Sequence, residues 1–194
     1  MKICEALDTS EYIITLFEQA EEALKPVFAE IDSNEQVCQC RVLGAMRSQK
    51  IAQRHFAPTT GYGYGDEGRE ALDQVYAQVF GTEDAMVRLS WVSGSHVLGD
   101  ALFSLLRPGD ILLSATGKPY DTLGGIIGQG DDKNCSSLRA WDIGYKQIEL
   151  ITDGGMDIKS TLAALEKEPR IKAVLIQRSR GYAWRRAITI DEME

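Results

Sequence analysis

The stretch WVSGSHVLGDALFSLLRPGDILLSATGKPYDTL, residues 91–123, decides the fold. At its centre Arg107-Pro108-Gly109-Asp110 is a turn signal between two apolar runs of different length. Upstream, Val97, Leu98, Ala101, Leu102 and Leu105 recur at helical spacing and predict a helix over 95–106 with those residues inside. Downstream, Ile111 to Ser114 is a short apolar run suited to a buried strand. A second helix is expected from Pro119 to Ile127, since proline is tolerated in a first turn.

The same rhythm continues on both sides. Strands are expected over 84–92, 146–151 and 171–177, and Asp157 caps a helix carrying Ile158, Leu162 and Leu165. Strand–helix alternation predicts an α/β fold with a mostly parallel sheet. Residues 129–139 are polar and glycine-containing and read as a surface loop. Further upstream, 66–80 reads as a helix with Leu72, Val75, Tyr76 and Val79 on one stripe and Gly81 at its stop, and 49–65 as a loop held open by Pro58 and three glycines. The opening part reads as two helices: one over 8–31 that Pro26 kinks or ends, then one capped by Ser33 or Asn34 with Cys38, Val42 and Ala45 inside. The expected organisation is an N-terminal helical arm, 1–48, before a main domain, 49–194. At Thr189 to Glu194 a capping box, Thr189 with Glu192, opens a helix of about one turn, which is the basis for expecting that the domain is truncated.

Composition narrows the function classes. A net charge of −8 over 194 residues argues against a general nucleic-acid binder, because phosphate backbones repel an acidic surface. No run approaches the roughly 20 apolar residues of a membrane span. Met1 to Glu11 lacks the basic and apolar regions of a secretory leader, so a cytoplasmic location is expected. Cys4, Cys38, Cys40 and Cys135 fit neither a disulfide framework nor a zinc site, and with only His55 and His96 no metal centre is expected.

Four local patterns bear on chemistry. Ser93-Gly94-Ser95-His96 follows a strand candidate and opens a helix, where free amides and the helix dipole favour a phosphate; a plain serine-capped turn has the same appearance. Gly63-Tyr64-Gly65-Asp66-Glu67-Gly68 has the spacing of a dinucleotide fingerprint but no strand before it, and Gly117-Lys118 lacks the rest of a phosphate loop. Tyr62, Tyr64 and Arg69 are either an anion-binding set on a glycine-rich loop or ordinary loop packing, and Tyr120 can stack on an aromatic ligand or simply pack. Gln177 to Arg186 follows a strand and carries Arg178, Arg180, Arg185 and Arg186 with Tyr182 and Trp184. It suits an acidic ligand beyond the sheet's carboxyl end, or else a solvated ion-pair patch.

Taken in order, HFAPTTGYGYGDEGRE (55–70), VSGSHVLGDALFSLLRPGD (92–110), TGKPYDTL (116–123) and QRSRGYAWR (177–185) resemble the successive blocks of the aluminium-resistance proteins. That family is similar to methionine gamma-lyase and the cystathionine lyases, which are fold type I pyridoxal 5'-phosphate enzymes. The resemblance implies that 49–194 is part of the large cofactor domain. It implies that Gly94, Ser95 and His96 hold the cofactor phosphate, that Tyr120 stacks on the pyridine ring, and that Tyr62 or Tyr64 with Arg69 reaches the phosphate of a neighbouring subunit in a homo-oligomer. It places Arg178, Arg180, Tyr182 and Arg185 at the active-site mouth. It also implies a sulfur-containing amino acid as substrate, and a Schiff-base lysine later in the family's sequence than any lysine here. The expectation is therefore the N-terminal part of a carbon–sulfur lyase, inactive alone. The alternatives are a non-catalytic remnant, half of a split enzyme, or a stand-alone anion-binding module.

Overall fold

The computed structural model describes residues 8–129 and 136–194. It forms two compact units, Met1–Leu89 and Ser90–Glu194. Residues 1–7, read above for a leader, lie outside the described residues, as does the 130–135 part of the expected surface loop.

The first unit is helical. Helix α1, Glu11–Ser48, is a single helix of 38 residues. The two-helix expectation is corrected here: Pro26 lies within the helix, and Ser33 and Asn34 are interior residues rather than caps. A proline removes one backbone donor and crowds the preceding turn, at a cost of about 3 kcal/mol. In so long a helix the remaining hydrogen bonds carry the chain past it. The true cap is Ser10, whose Oγ accepts the Ile13 N–H at 3.3 Å. Helix α2, Glu67–Phe80, ends at Gly81 in the left-handed conformation (φ 68°). It packs on the last turns of α1, where Ala45 is buried and Ser48 Oγ donates to Gln78 Oε1. A short 3-10 turn, Gln53–Phe56, lies against the start of α2. Gly68 is required there, since a Cβ would sit 2.2 Å from the His55 carbonyl oxygen.

The expected strand over 84–92 is absent. Its amides bond to side chains instead of a ladder: Ala85 N–H donates to Asp84 Oδ1 at 2.8 Å and Val87 N–H to Asp73 Oδ1 at 2.7 Å. Arg88 also pairs with Asp73, at 2.8 Å.

The second unit carries the α/β layering. Helix α3, Gly94–Leu105, leads through a tight turn into β1, Ile111–Ser114. In that turn Asp110 N–H donates to the Arg107 carbonyl and Arg107 N–H to Asp110 Oδ2. Then come α4, Asp121–Ile127; β2, Gly144–Gln147; α5, Ile158–Lys167; and β3, Ile171–Leu175. The sheet order is β2-β1-β3, with both pairings parallel. The strand β1 is central and wholly buried, as its unbroken apolar run implies.

Leu112 forms the core with Leu102 and Leu106, Leu123 and Ile127, and Leu138 and Ile143. Each such side chain contributes about 1.5–3 kcal/mol on burial. Helices α3 and α4 approach closely because residue 99 is glycine; a Cβ there would be 3.3 Å from Ile126 Cδ1.

Several expectations need adjusting. On α3 the buried positions are Gly99 and Leu102, while Val97, Leu98 and Leu105 are exposed, so the inner face is narrower than the apolar count suggested. Pro119 precedes α4, with Tyr120 as its cap residue. The strand expected over 146–151 lies earlier, over 144–147. Leu138 and Ser137 are buried, so this end of the supposed surface loop belongs to the core. Asp157 caps α5 as read, accepting the Ser160 N–H at 2.8 Å. At Thr189 the reciprocal capping bonds form with Glu192, followed by a turn at 191–193.

Candidate functional site

Helix α3 precedes the central strand, and Thr116, Tyr120 and Gln177 meet where β1 and β3 end, at the carboxyl end of the parallel sheet. Ligands of open α/β sheets sit at that end. Ser93 is extended, and its Oγ accepts the His96 N–H at 3.2 Å. The Gly94 and Ser95 N–H groups have no acceptor among the described residues. They open a helix of 12 residues whose dipole adds positive potential at that point. The space before Gly94 is open: a Cβ there would meet nothing within 4 Å. Of the three residues Gly94, Ser95 and His96, the first two thus present unengaged amides, while the His96 amide is committed to the cap. The His96 ring is steered by Asp100, with Nε2 3.5 Å from Oδ2, and Trp91 Nε1 donates to the same carboxylate oxygen at 2.6 Å.

A second cluster forms where β1 and β3 end. Gln177, just past β3, does three things. Its N–H donates to Thr116 Oγ1 at 3.0 Å, its Oε1 accepts the Tyr120 N–H at 2.8 Å, and its Nε2 donates to the Ser179 carbonyl at 3.1 Å. Tyr120 is thereby fixed at the mouth of the sheet, with 39% of its surface exposed. The loop after β3 lies against it. Tyr120 and Tyr182 have ring centroids 5.7 Å apart and hydroxyls 3.0 Å apart. The Tyr182 hydroxyl, together with burial and the nearby Asp121, pushes the Tyr120 phenol above its ordinary value.

The arginines of this loop are largely internal fasteners. Arg178 Nε donates to the Ile188 carbonyl, and Arg185 donates to the carbonyls of Ser179 and Arg186. Arg186 grips Glu192 with two bonds of 2.7 Å. That ion pair and the Thr189 amide hold the Glu192 carboxyl down at about 2. Arg180 is exposed.

Tyr62, Tyr64 and Arg69 lie in the other compact unit. Both tyrosines are strongly exposed on the glycine loop, 83% and 89%. Arg69 is anchored by Asp66, its Nε 2.9 Å from Oδ2, and Asp66 itself is buried and accepts from Thr59 Oγ1 at 2.9 Å. Gln177, Asp66 and Asp100 were not singled out from sequence. The one available signal was position, since each sits within or beside a motif already marked.

No cluster of three or more metal-ligating side chains occurs among the described residues, and none of their helices is long and apolar enough to cross a membrane. Cys38 and Cys40 are unbridged and exposed on α1.

Residues 13–194 match the family model for methionine gamma-lyase. The chain is similar to the structure of a carbon–sulfur lyase involved in aluminium resistance from Clostridium novyi NT. Identity is 40% and the TM-score 0.92, over 98% of this chain and 45% of that one. A Clostridium acetobutylicum structure, provisionally named as a cystathionine beta-lyase involved in aluminium resistance, gives the same values. The uncharacterized protein YnbB of Bacillus subtilis (strain 168) is 47% identical over 154 residues, 79% of this chain and 36% of YnbB. The chain therefore spans less than half the length of these relatives.

Proposed function

The chain belongs to the methionine gamma-lyase family, and from that premise we propose that it supplies the phosphate-binding and ring-stacking part of a pyridoxal 5'-phosphate site in a carbon–sulfur lyase. The observation that carries this reading is the pair of unengaged amides at Gly94 and Ser95, at the start of a helix in the same compact unit as Tyr120. The residues fit the group. A phosphate needs amide donors and close approach, and both are available at Gly94. A pyridine ring needs an aromatic face held in place, which Gln177 and Tyr182 give Tyr120.

When bound, the cofactor acts as an electron sink that lets a substrate amino acid lose its Cα proton and then its sulfur group. The chain's own residues have simpler duties. Gly94 and Ser95 donate to the phosphate, with the helix dipole behind them. Asp100 keeps His96 turned along the helix, and Tyr120 orients the ring. Arg69, held by Asp66, with Tyr62 or Tyr64, donates to the phosphate of a neighbouring copy, so the working protein is at least a dimer. Arg180 and Tyr182 face the approach of a sulfur-containing amino acid, with Arg178 and Arg185 holding the loop that carries them.

The covalent lysine is assigned to the further length of the relatives. Lys118, the lysine closest in sequence to Tyr120, is exposed and faces Asp121 at 3.8 Å. Borohydride reduction of the chain with pyridoxal 5'-phosphate, followed by peptide mass mapping, tests the assignment. The expected result is no stoichiometric adduct and a chromophore lost on dialysis; a single labelled lysine, such as Lys118, would overturn it.

A further inference from the structure

We propose that Tyr182 is a positioning residue for Tyr120, fixing both the set of its ring and the proton on its hydroxyl. The proposal rests on the reading of Tyr120 as the ring-stacking residue. Three contacts meet at Tyr120. The Tyr120 backbone is tied to Gln177, its Cδ2–Cε2 edge lies against Gly181, and its hydroxyl meets that of Tyr182 at 3.0 Å.

Gly181 is at positive φ (56°), and a Cβ built there would be 3.4 Å from Tyr120 Cδ2. A glycine at this position therefore lets the loop turn sharply and lie close to the ring. Tyr182 then follows at the right height for a hydroxyl pair, with centroids 5.7 Å apart and planes tilted by 31°. The loop is itself braced, because Arg185 and Gln177 both donate to the Ser179 carbonyl. Tyr182 is otherwise exposed, 81%, so its packing needs do not account for its place.

A tyrosine hydroxyl both donates and accepts. Within the pair either hydroxyl can donate; when Tyr120 donates, its proton lies between the two oxygens and loss of that proton costs the bond. Asp121, the next residue, also favours the neutral phenol, Lys118 lies 3.8 Å from Asp121, and Arg180 adjoins Gly181 on the loop that lies against the ring.

Tyrosine labelled with 13C at Cζ gives a direct readout on the full 194-residue chain, with the Tyr120 resonance assigned through Tyr120→Phe. The wild-type midpoint is expected above the ordinary phenol value of 10.0. Tyr182→Phe keeps the ring and removes only the hydroxyl, and the midpoint should fall back towards that ordinary value. Tyr182→Ala should lower it as well and broaden the Tyr120 ring signals. An unchanged midpoint in a folded Tyr182→Phe chain would overturn the proposal. Adding pyridoxal 5'-phosphate to wild type separates the two claims. If the Tyr120 resonance does not respond, the stacking reading fails, whatever Tyr182→Phe does to the midpoint.

Discussion

Asp66 illustrates how a single side chain can tie a loop to a helix. It is 6% exposed, accepts from Thr59, and faces the Nε of Arg69. Removing it leaves the Thr59 hydroxyl without its acceptor and the Arg69 guanidinium without its counter-charge. Asp66→Ala is expected to destabilise the chain by about 0.5–1.5 kcal/mol, the net contribution of a hydrogen bond whose exposed donors can turn to water. Asp66→Asn, which keeps the shape and can still accept from Thr59, should cost less. Thermal denaturation of the two variants checks the order, and equal stability of wild type and Asp66→Ala would contradict it. Residue-level roles of this kind were only half legible in the sequence. The helix-start motif at 93–96, Tyr120 and Arg69 could be marked from residue type and position. The partners that hold them, Gln177 and Asp66, are ordinary polar residues whose importance comes from where the backbone carries them.

At the scale of elements, the carboxylates that fasten strands and turns contribute stability that depends on pH. Glu168 joins Lys146 of β2 to Arg170 at the start of β3, and its carboxyl is held at about 2 by those two cations. Glu192 is held at about 2 by Arg186 and Thr189. Both lie below the ordinary value of 4.5. Their contribution to stability is therefore complete above that value and is lost as pH falls towards 2. The melting difference between wild type and Glu192→Gln should be full at neutral pH and shrink across that window. A difference that persists unchanged at pH 2 would contradict the account.

Elements with strong local rules were readable: the 107–110 turn, the central strand and the Asp157 cap follow from turn chemistry, a continuous apolar run and side-chain capping. Elements that depend on competition were not. Pro26 reads as a break, yet α1 runs through it. Residues 84–92 have strand composition, yet Asp73 and Asp84 claim amides that a ladder would need.

At the scale of the whole molecule, two compact units divide the proposed cofactor contacts between them. Gly94, Ser95 and Tyr120 are in one; Tyr62, Tyr64 and Arg69 are in the other. The parallel sheet and the class of fold were legible because alternation of helix and strand survives any error in their ends. The family was legible because four blocks occur in order. Composition alone would have led only to an acidic α/β chain. The acidic surface also sharpens the central claim, since an anion drawn to a chain of net charge −8 must be held by local donors rather than by the overall field.

The most direct test is therefore an amide proton–nitrogen correlation spectrum of the 15N-labelled chain, titrated in parallel with pyridoxal 5'-phosphate and with pyridoxal. The account predicts that the phosphorylated compound shifts the Gly94 and Ser95 amides and that pyridoxal at the same concentration leaves them in place. Equal responses to both compounds, or no response at those two amides, would contradict it.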